Sequence, residues 1–138
     1  MKTNLLLLVL ALLSFSCLEE DEPTPGALPK GTYVGTFLRT SPTALYAPAT
    51  VTLHLQGNTY SGSSEKQRYP VIGAGTYHVS GNYITFESEG FYTADFDWTL
   101  ILKARFTISQ DGDSILLTKQ TGDITDIYRL TKQTETNK

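Results

Sequence analysis

Apolar and polar residues alternate along most of this chain, and the alternation is interrupted at regular intervals by glycine-centred turn signals. In Leu55-Gln56-Gly57-Asn58-Thr59-Tyr60 the Gly-Asn pair suits a two-residue hairpin loop, which sets Gln56 opposite Thr59 and Leu55 opposite Tyr60. The same pattern recurs in Val79-Ser80-Gly81-Asn82-Tyr83-Ile84, setting Val79 against Ile84 and Tyr77 against Phe86. Asp111-Gly112 reads as a third tight loop, pairing Ile108 with Ile115 and Phe106 with Leu117. Each register places apolar residues on one shared face, which a one-residue slip would reverse. From Trp98 to Ile108 the even-numbered positions hold one apolar phase, which reads as a single long, bent strand.

The predicted strands are 31–39, 49–56, 59–64, 74–79, 83–88, 97–109, 114–119 and 124–131. Long connections (40–48, 65–73, 89–96) alternate with tight ones. In an up-and-down barrel such alternation gathers the long loops at one end and the tight turns at the other. Closure also removes the exposed sheet edges of an antiparallel chain. The fold expected is all-β, an eight-stranded antiparallel up-and-down barrel. The phase of the last strand stays open. A two-residue turn before it turns Ile124, Asp126, Tyr128 and Leu130 inward, and a three-residue turn does so for Thr125, Ile127 and Arg129.

Ahead of the barrel the pattern changes. Lys2 is followed by an unbroken apolar run, Leu5 to Leu13, and then by Ser14, Phe15, Ser16 and Cys17. As a helix the run spans only about 14 Å, short of the roughly 30 Å hydrocarbon core, so a cleaved export signal is expected over 1–16. Cys17 is the sole cysteine, so no intramolecular disulfide can form. Residues 17–30, with four consecutive acids and Pro23, Pro25 and Pro29, read as a solvated tether. The barrel then occupies 31–132 and a polar tail 133–138.

Composition narrows the function. The full chain carries a net charge of −3, and losing Lys2 with the signal leaves −4. No basic cluster is present, so nucleic acid is not an expected partner. His54 and His78 lie on outward phases without a second ligand at metal spacing, so no metal and no cofactor is expected. Asp95 and Asp97 could share a strand face for acid–base work, but strand-end polar residues beside a turn explain them better. Asp111-Gly112-Asp113 fits a hairpin better than a calcium loop. The chain is not expected to be an enzyme.

Aromatic residues are the stronger lead. Tyr33, Phe37, Tyr60, Tyr77, Phe86, Trp98 and Phe106 fall on inward phases, and a barrel of this size is either filled by side chains or left with room for one small ligand. Tyr46, Arg68, Tyr69, Phe91 and Tyr92 gather at the loop end and, with Trp98, are the candidate ligand-binding residues of the mouth or lumen.

Two resemblances follow from these residues. Leu13-Ser14-Phe15-Ser16-Cys17 resembles a lipobox, which implies lipidation of Cys17 and a membrane anchor, and the acids after it are similar to the surface-export signal of Bacteroidota lipoproteins. The eight-stranded meander, with Gly31-Thr32-Tyr33 in its first strand and Arg129 in its last, resembles the lipocalin-like (calycin) barrels. That resemblance implies Tyr33 and Arg129 as a barrel-closing pair through a cation–π contact. Together they imply a lipid-anchored protein of the cell envelope, on the outer membrane and either periplasmic or surface-exposed. It would bind a small apolar ligand at the loop end or, alternatively, use that end to contact a protein partner in the manner of a protease inhibitor.

Overall fold

The computed structural model describes residues 26–134. The signal segment, Cys17, most of the tether and the last four residues lie outside them. Eight strands, β1 (Gly31–Thr40), β2 (Ala49–Gln56), β3 (Thr59–Ser64), β4 (Gly73–Ser80), β5 (Tyr83–Ser88), β6 (Ala104–Asp111), β7 (Ser114–Thr121) and β8 (Ile124–Lys132), form a closed barrel in sequence order. Every neighbouring pair is antiparallel, including β1 with β8. This is the all-β up-and-down barrel that the alternation predicts.

Four hairpins share one turn chemistry. Gly57, Gly81, Gly112 and Gly122 each have φ between 55° and 59°, and each is followed by Asn or Asp with ordinary negative φ. Positive φ at the first central residue alone is the type II′ pattern, whose twist matches that of the flanking strands. The first two hairpins have the expected registers, Leu55 with Tyr60 and Val79 with Ile84. The third is shifted by two residues, pairing Ile108 with Leu117 and Gln110 with Ile115. Its loop is Gly112-Asp113 rather than Asp111-Gly112, because the glycine must come first, and an even shift keeps the same face inward. At Gly122-Asp123 the two-residue turn settles the phase of β8, with Asp126, Tyr128 and Leu130 buried.

The long strand expected over 97–109 is broken. Asp97 caps a short 3-10 turn, Trp98–Leu100, its side chain accepting from the Thr99 amide. The chain then crosses the mouth of the barrel. Val71 donates to the Leu100 carbonyl at 3.1 Å and Leu102 donates to the Val71 carbonyl at 2.8 Å, a parallel bridge that joins two loops. Only at Ala104, with a φ of 87°, does the backbone swing into β6. Trp98 consequently leaves the inward phase and is 56% exposed.

Side chains fill the lumen. Tyr33, Phe37, Tyr60, Tyr77, Phe86, Phe106 and Tyr128 are buried with the aliphatic residues of β2, β5, β7 and β8 in one cluster. Their rings touch in series, Tyr77 to Phe86 to Phe106 to Tyr128 to Phe37, at centroid separations of 4.8–5.9 Å. Two of these contacts, Phe86 with Phe106 and Phe106 with Tyr128, are edge-on and two are tilted, and aromatic pairs of this kind contribute about 0.5–1.5 kcal/mol each beyond area burial.

The tight-turn end is sealed by part of the expected tether. Residues 26–30 lie beneath the barrel. Val79 donates to the Gly26 carbonyl at 2.6 Å, Leu28 donates to the Tyr77 hydroxyl at 3.1 Å, and the Tyr33 hydroxyl donates to the Pro29 carbonyl at 2.9 Å. Leu28 is buried in the core. Residues 26–30 therefore belong to the barrel rather than to a solvated tether, because an apolar side chain is needed to close the lumen floor. Leu28→Ala should destabilise the barrel by about 2–4 kcal/mol in urea unfolding, whereas Pro29→Ala should cost well under half as much.

Candidate functional site

The loop end is organised by one buried cation. Tyr33, Gly35, Phe37 and Arg39 share the inward phase of β1, so the last of them carries a guanidinium into the barrel mouth. All five of its N–H groups are used. Nε and an Nη2 proton donate to the two carboxylate oxygens of Asp126 at 2.6 and 2.9 Å. Nη1 donates to Asp97 at 3.0 Å and to the Thr99 hydroxyl at 2.8 Å, and Nη2 also reaches the Thr99 carbonyl at 3.0 Å. Lys119 adds a second cation 3.2 Å from Asp126. Bidentate pairing of this kind is strong and directional, and it ties β1, β8 and the mouth-crossing segment into one unit.

Neither Arg39 nor Asp126 was among the residues singled out from the sequence, although a signal was there. Arg39 continues the phase of Tyr33 and Phe37, and one of the two phases considered for β8 turned Asp126 inward. Two inward charges of opposite sign on neighbouring strands call for each other, since a lone buried charge would be prohibitive.

The candidate mouth residues form two groups. Tyr46 stacks on Tyr69 with ring planes 6° apart and centroids 6.3 Å apart. Arg39 lies 6.0 Å from the Tyr46 centroid, and Tyr69 meets Phe37 edge-on. Burial raises the Tyr69 hydroxyl above its usual range, and that hydroxyl has no hydrogen-bond partner among the described residues. In the second group Arg68 pairs with Asp95 and lies 5.6 Å from the Phe96 ring, against which Tyr92 packs at 6.2 Å. The Tyr92 hydroxyl bonds Ser88, and the Trp98 indole donates to the Thr93 carbonyl at 2.8 Å. Phe91 touches neither group and is fully exposed, at 105% of its reference area. Leu45, which is not among the candidates read from the sequence, is equally bare at 104%.

The barrel-closing pair expected from the family resemblance is not formed. Tyr33 is buried opposite Lys132, while Arg129 lies opposite Thr36 on the outward phase and is exposed. The two-residue turn before β8 fixes that phase. Closure rests instead on the β1–β8 ladder and, at the other end of the same seam, on Arg39 with Asp126.

Two open grooves, of about 380 and 330 Å³, lie toward the tight-turn end, one beside Lys30, Asp113 and Lys132 and one beside Leu116 and Arg129. Neither borders the loops. Comparison with family models, curated proteins and solved structures returns no match. The functional reading therefore rests on the geometry of this chain.

That geometry does not make a proton-transfer pair of Asp95 and Asp97. The Thr93 hydroxyl and then Arg68 hold the Asp95 carboxyl below the ordinary carboxylate range. For Asp97, partial burial pushes upward but is outweighed by the Thr99 hydroxyl and amide together with Arg39, and the net shift is downward. A general base working near neutrality needs the opposite shift. These carboxylates fasten the loop. Because the folded-state pKa of Asp97 is depressed, its contribution is complete above the unfolded value of about 3.9 and is lost as pH falls through the lower folded value. Amide exchange at Leu100 and Ile101, both bonded within the 3-10 turn, should accelerate relative to the β1–β8 ladder in that acid window. Asp97→Asn should bring the faster relative exchange to neutral pH. Arg39→Met should cost about 3–5 kcal/mol by leaving Asp126 under-paired, and the Arg39→Met/Asp126→Leu double variant should recover more than half of that loss in urea unfolding.

Proposed function

We propose that this chain is a lipid-anchored, lipocalin-like module of the bacterial cell envelope, without catalytic activity, that uses its loop end to contact a partner protein. The observation that carries the reading is the placement of bare apolar residues. Leu45, Phe91 and Trp98 stand exposed on two different loops at the same end of a barrel whose interior is already occupied by side chains. A filled lumen leaves little reason to favour a small apolar ligand held inside. Exposed aromatic and aliphatic side chains at the end that also carries Arg68 and Tyr92 have the make-up of a contact surface.

The anchor supplies direction. A lipid on Cys17 adds about 0.8 kcal/mol of membrane affinity for each buried CH₂, so several acyl chains hold firmly. The chain comes into the tight-turn end at Gly26, beside His78 and Val79, rather than at Gly31. The segment between Cys17 and Gly26 can span at most about 32 Å, which keeps the tight-turn end close to the bilayer and faces the loops away from it.

In its own host, replacing Cys17 by Ser should move the protein from the membrane fraction to the soluble fraction. A photo-crosslinking residue placed at Phe91 should give a discrete protein adduct in intact cells, and the same residue at Asn82 should not. Equal labelling from the two ends, or none from Phe91, would sink the contact-surface reading.

A further inference from the structure

Three inward phases run out together at the tight-turn end. Below the buried row of Tyr33, Ile115 and Leu130, the same phases of β1, β7 and β8 continue to Gly31, Asp113 and Lys132. These three residues, with Lys30, Gln133 and Thr134, line the open groove of about 380 Å³. Small-molecule sites commonly enclose roughly 300–1,000 Å³.

The groove holds opposite charges that do not meet. The Lys132 amide donates to the Asp113 carbonyl at 2.8 Å, so the two residues face each other across the β7–β8 seam. Among the described residues, however, neither side chain enters an ion pair, whereas Arg39, Arg68 and Lys119 each pair with a carboxylate. Gly31 supplies the reason. It has a φ of 146°, and a Cβ there would come to 2.7 Å from Lys132 Cε. The missing side chain leaves a trough in which the lysine stem lies, over β1 and on the side away from β7. An ammonium and a carboxylate are thereby kept apart in one groove.

From this arrangement we infer that the groove binds an aminoalkyl phosphate, with the phosphate on Lys132 and the primary ammonium on Asp113. Lysine binds phosphate as a point charge with three donors, and a carboxylate accepts from an ammonium. A bare anion would be opposed by Asp113 and a bare amine by Lys132, which selects the zwitterion over either half. Two sources offer this chemistry, the ethanolamine phosphate headgroup of a lipid and the free compound. The headgroup source rests on the anchor reading, since a lipid on Cys17 turns this end toward the bilayer. The chemistry of the site does not, and the site lies opposite the proposed contact surface.

The test titrates the full-length protein, in a non-ionic detergent, with phosphoethanolamine and follows amide NMR shifts and calorimetry. The amides of Gly31, Asp113 and Lys132 should move together. Inorganic phosphate, ethanolamine and phosphocholine should each bind at least ~10-fold more weakly, the last because its quaternary ammonium has no N–H to donate. Lys132→Gln and Asp113→Asn should each weaken phosphoethanolamine binding by ~10-fold or more, as expected for the loss of one charge-assisted hydrogen bond. Neither side chain belongs to the core, so urea unfolding of both variants should be unchanged. Reconstitution into phosphatidylcholine nanodiscs with and without phosphatidylethanolamine separates the sources. Shifts at the groove that require phosphatidylethanolamine name the lipid, and their absence beside binding of the soluble compound names the free one. No shift at the groove, binding indifferent to both variants, or inorganic phosphate binding as tightly as phosphoethanolamine would each overturn the inference. If the protein does not enter nanodiscs, the anchor reading falls and the titration in detergent still decides the site.

Discussion

A guanidinium carried into a barrel of aromatic rings needs a partner for every N–H, and the loop end of this protein is arranged to meet that need. Arg39 sits at the point where β1 leaves the sheet, one inward position beyond Phe37. Asp126 on the neighbouring strand supplies a bidentate carboxylate, and the remaining donors are met from Asp97 and Thr99 on a distant loop. The pair need not add much net stability over an apolar replacement, because desolvation opposes the attraction. What it does is select one arrangement of the mouth. A loop that would otherwise drift in solvent is drawn across the opening and fastened from below.

The opposite end obeys a simpler rule. Tight hairpins leave the floor of the barrel open, and the rings of Tyr33 and Tyr77 would meet water there. The chain preceding β1 folds underneath, with Leu28 as the apolar stopper. The two tyrosine hydroxyls are buried beside it and find main-chain partners in the same segment. Burial raises both phenols above their usual range, which keeps them neutral and able to donate across the physiological range. One end is therefore closed by hydrophobic contact and the other by charge, and only the charged end carries long loops.

This difference bears on function. The filled lumen turns attention to the outer surface, where two loops present Leu45 and Phe91 without covering them. Exposed apolar side chains on mobile loops would mostly collapse onto the nearest apolar surface. Here the second residue of each adjacent pair, Tyr46 or Tyr92, takes the inward place, against Tyr69 in one case and against Ser88 and Phe96 in the other. Its neighbour is left outside. Each loop thus splits an adjacent apolar pair into an anchor and a probe.

Alternation of apolar residues and the Gly-Asn and Gly-Asp turns was enough, without any tertiary information, to determine the strand number, the barrel order and the inward rings Tyr33, Phe37, Tyr60, Tyr77, Phe86 and Phe106. These are properties of period two and of a glycine at positive φ, and both are local. The register at Gly112 was misread by two residues because an even shift leaves the face pattern unchanged, so hydrophobicity could not detect it. Positions 98–108 keep one phase, which places Trp98 in the lumen; in the folded chain that strand is broken where Arg39 bonds the Thr99 carbonyl, a contact between residues 60 positions apart, and where Val71 bridges Leu100 and Leu102. The pairing of Tyr33 with Arg129 failed for a related reason, since the turn at Gly122 decides which face of β8 looks inward. Only the folded chain could show Leu28 as part of the core, because its isolated position between prolines has no period to read. The exposure of Leu45 was likewise decided by the folded structure, which gave the inward place to Tyr46 and left its neighbour in water.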